Sequence, residues 1–286
     1  MTQSSKATLI ISIYQMRSNV ELTCAALKRQ TTRDFEVIFC DDGSTDGSKE
    51  YIEEFKKNID LNVMHIWQPN KGFRKSMLLN ECIRRSCGEI LIFTDGDCIP
   101  HSNFVKDHIN ESDETHYLAG RRVELSKKIS QNLKISDVEN GFFDHPTFKL
   151  IWDAWTGETE RSNRSLRVKN SFFRKLLKMN QIIDLKGHNF SAHRKHFIAI
   201  DGFDEAYEGY GREDTDVELR LQNLGLKIKS LKGLALQHHI WHPRREFTPQ
   251  NEDRLDKLKT TKRIKAKKGL STLSFDQSHN KSSHFS

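Results

Sequence analysis

The chain has 286 residues, 36% of them hydrophobic, which is enough to bury a large α/β core without disulfides. Its formal net charge is +7, yet no RNP-type aromatic pattern, zinc finger or other nucleic-acid module accompanies the basic residues, and nucleic acid is set aside as a partner. The 5 cysteines are odd in number and contain no CxxC pair, which argues against a disulfide frame or a cysteine zinc site; no apolar run approaches the ~18 residues of a membrane span. With no signal-peptide pattern at its start, the chain is expected in the reducing cytoplasm.

Over the first hundred residues β-type runs alternate with helical patterns. Strands are expected at Thr8–Ile13, Phe35–Cys40, Asn62–Trp67 and Glu89–Thr94, and helices at Val20–Gln30, Gly47–Lys57 and Lys75–Cys87. Nearly continuous apolar strands separated by helices predict an α/β fold, a mostly parallel twisted sheet flanked by helices. Ligands of such sheets gather at the carboxyl ends of the strands. The loops there are polar: Tyr14-Gln15-Met16-Arg17, Asp41-Asp42-Gly43-Ser44, Gln68-Pro69-Asn70-Lys71-Gly72 and Asp95-Gly96-Asp97.

Two of these loops carry competing signals. Asp42 to Glu53 nearly matches a calcium loop, but it leaves a strand rather than a helix and has Lys49 at its eighth place, so it reads as a strand-to-helix turn with Asp46 or Ser44 near the helix start. Asp95-Gly96 is a hairpin-turn signal, but Cys98-Ile99-Pro100-His101 is no alternating return strand. Two carboxylates two residues apart on an extended backbone face the same side, where they could hold one hard cation directly or through water.

Residues 121 to 186 contain Phe142, Phe143, Trp152, Trp155 and many charges without a motif. Beyond them, Gly209-Tyr210-Gly211-Arg212-Glu213-Asp214 opens a helix that Gly225 stops, with Val217, Leu221 and Leu224 at core spacing. An acidic first turn suits the helix dipole, and a base placed there is expected to have a lowered pKa. His238-His239-Ile240-Trp241-His242 follows, offering imidazoles that tilt the choice of metal toward Mn²⁺. Tyr210 and Trp241 are candidate aromatic platforms for a stacked ligand. Arg254 to Lys268 reads as a basic helix suited to an anionic membrane surface, leading into a disordered tail. The organisation expected is therefore a domain over 1–250, with halves at about 7–120 and 121–250, and a terminal segment over 251–286.

The ordered set of Tyr14, Cys40-Asp41-Asp42-Gly43-Ser44, Lys71-Gly72-Phe73-Arg74-Lys75 with Asn80, Asp95-Gly96-Asp97, Gly202-Phe203-Asp204-Glu205 and Glu213-Asp214 resembles family 2 glycosyltransferases of the GT-A fold. The resemblance spans roughly residues 7 to 247. The Gly209–Asp214 stretch and His239-Ile240-Trp241-His242 are similar to the subgroup that shares features with bacterial chondroitin polymerases and β-1,4-galactosyltransferases. Ile13, where many relatives have proline, and Tyr210, where many have Trp, are departures that leave the donor sugar open.

The resemblance implies roles for individual residues. Tyr14 and Asp41 would lie against uracil, with Asp42 and Arg74 close by and Gly211 among the donor contacts. Asp95 would meet ribose or a metal-bound water. Asp97 and His242 would ligate Mn²⁺ or Mg²⁺, with His239 a second imidazole candidate. Asp214 would be the base, with Glu213 supporting the acceptor, and Gly187-His188-Asn189-Phe190-Ser191 would touch a sugar. The implied activity is metal-dependent, inverting transfer from a UDP-sugar to a hydroxyl of a glycan or lipid-linked glycan, as in lipopolysaccharide core or capsule assembly. Against it stand a dinucleotide oxidoreductase, disfavoured because no GxGxxG follows the first strand, and a non-catalytic sugar-nucleotide or glycan-binding protein on the same fold.

Overall fold

The computed structural model describes residues 5–145, 162–243, 246 and 248–272. Its first half alternates β1 (Ala7–Ile13), α1 (Arg17–Lys28), β2 (Phe35–Asp41), α2 (Ser48–Lys57), β3 (Val63–Trp67), α3 (Lys75–Arg85) and β4 (Ile90–Asp95). The remainder adds β5 (Cys98–Pro100), α4 (Phe104–Glu111), β6 (His116–Ala119), β7 (Val123–Glu124), α5 (Lys127–Asn132) and α6 (Ile135–Glu139). It continues through α7 (Ser171–Leu176), β8 (Asn189–His193), α8 (Arg194–Ala199), α9 (Glu213–Asn223), β9 (Lys227–Ser230), β10 (Gln237–His239) and α10 (Pro249–Thr261). Trp152 and Trp155 lie outside the described residues, as does the tail from 273.

The main sheet has seven strands in the order β3-β2-β1-β4-β8-β6-β9. β1 runs parallel to both β2 and β4, and β8 alone is antiparallel to its neighbours. Successive residues of each central strand point to opposite faces, and both faces are apolar. Leu9, Ile11, Val37 and Phe39 pack with α1, α2 and α4 on one side. Ile10, Ile38, Leu91 and Phe93 pack with α3, α8 and α9 on the other.

The chain winds outward from β1 to β3 and then returns to place β4 on the other flank of β1. This reversal makes the carboxyl ends of β1 and β4 a topological switch point, the crevice where open α/β sheets bind ligands. A second sheet, ordered β5-β10-β7, is set directly after β4. Its register pairs His239 with Cys98 on one side and with Glu124 on the other.

Buried polar contacts fix α9 at the crevice. Arg220 is fully buried; it bonds Asp216 and donates to the carbonyls of Ile200 and Gly202, both at 2.7 Å. Asn80 donates to Phe203 O and to Glu205, so the Gly202–Glu205 motif braces this region. The helix expected over Arg254–Lys268 forms instead over Pro249–Thr261, where Pro249 supplies a preset first-turn φ and Lys262 ends the helix at φ 48°. From there the chain turns back: Arg263 pairs with Asp204 at 2.6 Å and Ala266 N donates to Ile200 O at 2.9 Å.

Candidate active site

At the switch point a cleft is lined by Tyr14, Asp42, Lys75, Asp95, Asp97, Arg122, Tyr210, Glu213 and His242. Most of these lie at or next to the end of a strand or helix, whereas Tyr210 and His242 come from the loops before α9 and after β10.

Gly96 lets the turn after β4 pass against β1; a Cβ there would stand 2.6 Å from Ile13 Cγ2. The turn breaks the extended backbone, and the two carboxylates therefore part company. Asp95 accepts from Lys75 Nζ at 2.9 Å, while Asp97 faces the histidines. The direct sharing of one side expected from an extended Asp-Gly-Asp is not made, although both residues line the cleft.

Asp97, His239 and His242 offer ligand atoms that all lie within 4.8 Å of one another. Asp97 Oδ2 is 3.2 Å from His242 Nε2 and 3.5 Å from His239 Nε2. The second nitrogen of each ring is already engaged: His239 Nδ1 lies 2.6 Å from Glu124 Oε2 and His242 Nδ1 lies 2.7 Å from Pro243 O. A carboxylate and a carbonyl can only accept, so both rings carry a proton on Nδ1. Each Nε2 faces the Asp97 carboxylate: burial opposes protonation of His239, but Asp97 and Glu124 outweigh it and raise its pKa, and Asp97 raises that of His242, so it is on losing the Nε2 proton that each ring could ligate a cation. His239 Nε2 is buried without a hydrogen-bond partner. Two imidazoles and one carboxylate, with a second carboxylate orienting one imidazole, form a donor set that suits a first-row divalent ion. Burial opposes ionisation of Asp97, but the adjacent imidazoles outweigh it and hold its pKa well below the usual carboxylate range. Glu124 behaves likewise, at about 2.

On the facing wall, Glu213 begins α9 with Oε2 buried and unpartnered. Burial and the neighbouring Asp214 charge raise its pKa to about 7, against the pull of Lys75. At Glu213 desolvation and like charge thus exceed the pull of the helix dipole. The Asp214 side chain points elsewhere. Its Oδ2 accepts from Gly187 N at 2.9 Å and its Oδ1 from Thr215 N at 2.7 Å, and it faces a small adjoining hollow shared with Ser12, Lys75 and Glu213.

The expected nucleotide contacts divide similarly. Tyr14 lines the cleft, its hydroxyl accepting from Asn70 at 2.8 Å. Asp42 also lines it, held by Gln68 and by Arg74 N at 3.0 Å. Asp41 is fully buried and spent on Ser44 N and His65, so it is a turn-forming residue and does not reach the cleft. The Arg74 side chain turns to Pro69 O, and Gly211, at φ 97°, accepts from Asn251 rather than lining the cleft. Tyr210 reaches the cleft and meets Phe73 edge-on, whereas Trp241 lies outside it beneath Lys127. Asn189, Phe190 and Ser191 are buried in β8; Gly187 and Phe190 line the hollow beside Asp214, and His188, bonded by Gln237, lies near Arg122, Glu124 and Asp97.

Sequence reasoning passed over three contributors. Arg122 lines the cleft and bonds Glu124 at 2.9 Å. Lys75 bridges Asp95 and the Glu213 wall. Glu124 aligns His239. Lys75 belongs to the Lys71–Lys75 motif, whereas Arg122 and Glu124 lie in a stretch with no pattern.

This combination, a switch-point cleft with a carboxylate–imidazole cluster facing an acidic helix start, is a candidate active site on an α/β fold. The particular family follows from comparison. Residues 8–198, that is 191 of 286, match "Glycosyl transferase family 2", and residues 168–243 match "N-terminal domain of galactosyltransferase". The chain belongs to glycosyl transferase family 2. It is 27% identical to an uncharacterized glycosyltransferase, YfnE, of Bacillus subtilis, over 83% of this chain and 65% of that one. It is 24% identical to chondroitin synthase of Escherichia coli, over 84% of this chain and 35% of that one. The chain thus spans less than two thirds of these relatives' lengths. Among solved structures, GalNAc-T7 with UDP, GalNAc and Mn²⁺ superposes with a TM-score of 0.61 at 14% identity, covering 90% of this chain and 48% of the other. The fold is GT-A.

Proposed function

We propose that this chain transfers a sugar from a UDP-sugar to a hydroxyl of a glycan acceptor of the cell-surface polysaccharide kind, inverting the anomeric centre and depending on Mn²⁺ or Mg²⁺. The observation that carries the reading is the meeting of Asp97, His239 and His242 on one wall of the cleft with Glu213 on the other. The UDP and Mn²⁺ named with the GalNAc-T7 structure support the choice of donor and ion.

A sugar hydroxyl is a poor nucleophile, and a nucleoside diphosphate leaves only if its growing charge is neutralised. Asp97, His239 and His242 would hold the cation, which when bound acts as a Lewis acid on that leaving group. Arg122 and Lys75 add fixed positive charge along the same wall. Tyr14 and Asp42, which line the cleft, would meet the uracil. Asp214 is the proposed base: two amide donors hold its carboxylate in one orientation, leaving lone pairs for the acceptor hydroxyl. Glu213, half-protonated near neutrality, can donate a hydrogen bond to a sugar oxygen. Attack from the face opposite the diphosphate would convert an α-linked donor into a β-glycoside.

The test is to incubate the protein with a panel of UDP-sugars and Mn²⁺, Mg²⁺ or EDTA and to measure UDP release. Turnover that needs a divalent ion is expected with at least one donor. No binding or hydrolysis of any nucleotide sugar, with or without metal, would overturn the reading.

A further inference from the structure

Residues 162–183 contain six Lys or Arg and no Asp or Glu, so this short stretch carries a formal +6 of the chain's +7. Within and around α7 it also exposes Leu166, Phe172, Phe173, Leu176, Leu177 and Ile183, with Phe172 at 68%, Leu176 at 66% and Ile183 at 91%. Isolated exposed apolar residues need no explanation, but a cluster of six in one segment does.

The segment is docked by its polar groups. Arg174 turns inward and donates to Ser230 O at 2.7 Å and Lys232 O at 3.2 Å. Val168 N donates to Gly233 O at 2.9 Å, and Ser230 Oγ donates to Met179 O at 2.6 Å. Arg167 is spent on the buried Asp107. With Arg167, Arg174 and backbone groups facing the protein, the apolar side chains face outward, and Phe172 and Phe173 meet edge to face. Lys169, Lys175 and Lys178 are exposed among them. Beside α7, Arg121, Arg164, Lys178 and Lys232 line a hollow. Burial and the flanking arginines lower the Lys232 pKa, a sign of crowded positive charge there.

Apolar side chains ringed by lysines, with no carboxylate within residues 162–183, match the boundary between acyl chains and anionic headgroups. The basic C-terminal helix expected to serve this purpose lacks the apolar half of the pattern, because Leu255 and Leu258 of α10 are buried against the domain. We infer that residues 166–183 form a docking surface for an anionic lipid bilayer, with Phe172, Phe173, Leu176 and Leu177 entering the acyl boundary and the surrounding lysines meeting lipid phosphates. This inference does not depend on the donor or metal chemistry.

The experiment is co-sedimentation of the full chain with phosphatidylcholine vesicles, with and without phosphatidylglycerol. Binding is expected only with phosphatidylglycerol and should weaken as salt rises. Replacing the four side chains (Phe172→Ser, Phe173→Ser, Leu176→Ser, Leu177→Ser) should cut it about tenfold or more, and Lys169→Glu with Lys175→Glu and Lys178→Glu should do the same. Unchanged thermal melting of both variants shows that the fold is intact, as expected for exposed positions. Absence of vesicle binding, equal binding to neutral vesicles, or undiminished binding by both variants would overturn the inference. So would a wild-type dimer that the serine variant converts to monomer, since a second copy of the chain would then be the occupant.

Discussion

Glu124 Oε2 stands 2.6 Å from His239 Nδ1, and this contact turns the other nitrogen of the ring toward Asp97. It joins β7 to β10 and makes a carboxylate outside every recognisable motif the orienting group of the proposed metal-ligand cluster. Glu124→Ala should therefore weaken Mn²⁺ binding about 10- to 100-fold while leaving UDP binding in EDTA unchanged. Asp97→Ala should remove the strong Mn²⁺ site altogether. Titration followed by electron paramagnetic resonance of free Mn²⁺ separates the two outcomes, and equal affinity in wild type and Asp97→Ala would refute the site.

Gly96 controls the same cluster from behind. Its α-carbon lies so near β1 that a methyl group would meet Ile13 and Met16 Sδ, at 2.6 and 2.9 Å. Gly96→Ala is expected to push the turn outward, lowering both Mn²⁺ affinity and melting temperature. A variant with native affinity and native melting would show that the turn tolerates the displacement.

Asp214 and Glu213 should separate kinetically. Asp214→Asn is expected to lower kcat by roughly a hundredfold to ten-thousandfold, the usual contribution of a general base, with donor affinity unchanged. Glu213→Gln keeps a hydrogen-bond donor and should lose far less. If Asp214→Asn retained full transfer activity while still binding donor, the assignment of the base would be wrong.

The buried Glu213 carboxyl also makes stability pH-dependent. Its pKa is raised from 4.5 to about 7, so the folded protein holds a proton that the unfolded chain releases. That contribution is complete below pH 4.5, declines as pH rises through 7, and amounts to roughly 3 kcal/mol. Glu213→Gln removes the titration. The variant should therefore gain melting temperature relative to wild type at pH 8 and lose that advantage at pH 5, as differential scanning fluorimetry would record. A difference independent of pH would contradict the raised pKa.

Asp216 and Arg220 anchor α9 with both side chains fully buried. Asp216→Ala would leave the guanidinium charge uncompensated and should cost about 3–5 kcal/mol in urea denaturation. A loss under 1 kcal/mol would mean that the Ile200 and Gly202 carbonyls suffice for Arg220.

The amino-acid sequence by itself determined the alternating strands and helices of the first half, because buried parallel strands are apolar along their whole length and helices between them show their own period. It also determined that strand-end loops would carry the polar chemistry, and its motif order pointed to Asp97, His239, His242 and the Glu213–Asp214 pair as the residues to watch. Only the tertiary structure decided how these groups divide their work. Asp41 looked like Asp42 in the sequence, yet one is consumed by Ser44 and His65 while the other lines the cleft. Asp95 and Asp97 looked alike until the turn at Gly96 sent one to Lys75 and the other to the histidines. Glu124 and Arg122 became part of the site only because β10 pairs with β5 and β7. The physical reason is range: periodicity and turn chemistry act over a few residues, whereas ligand geometry and shifted pKa values arise from groups brought together by strand pairing across more than a hundred.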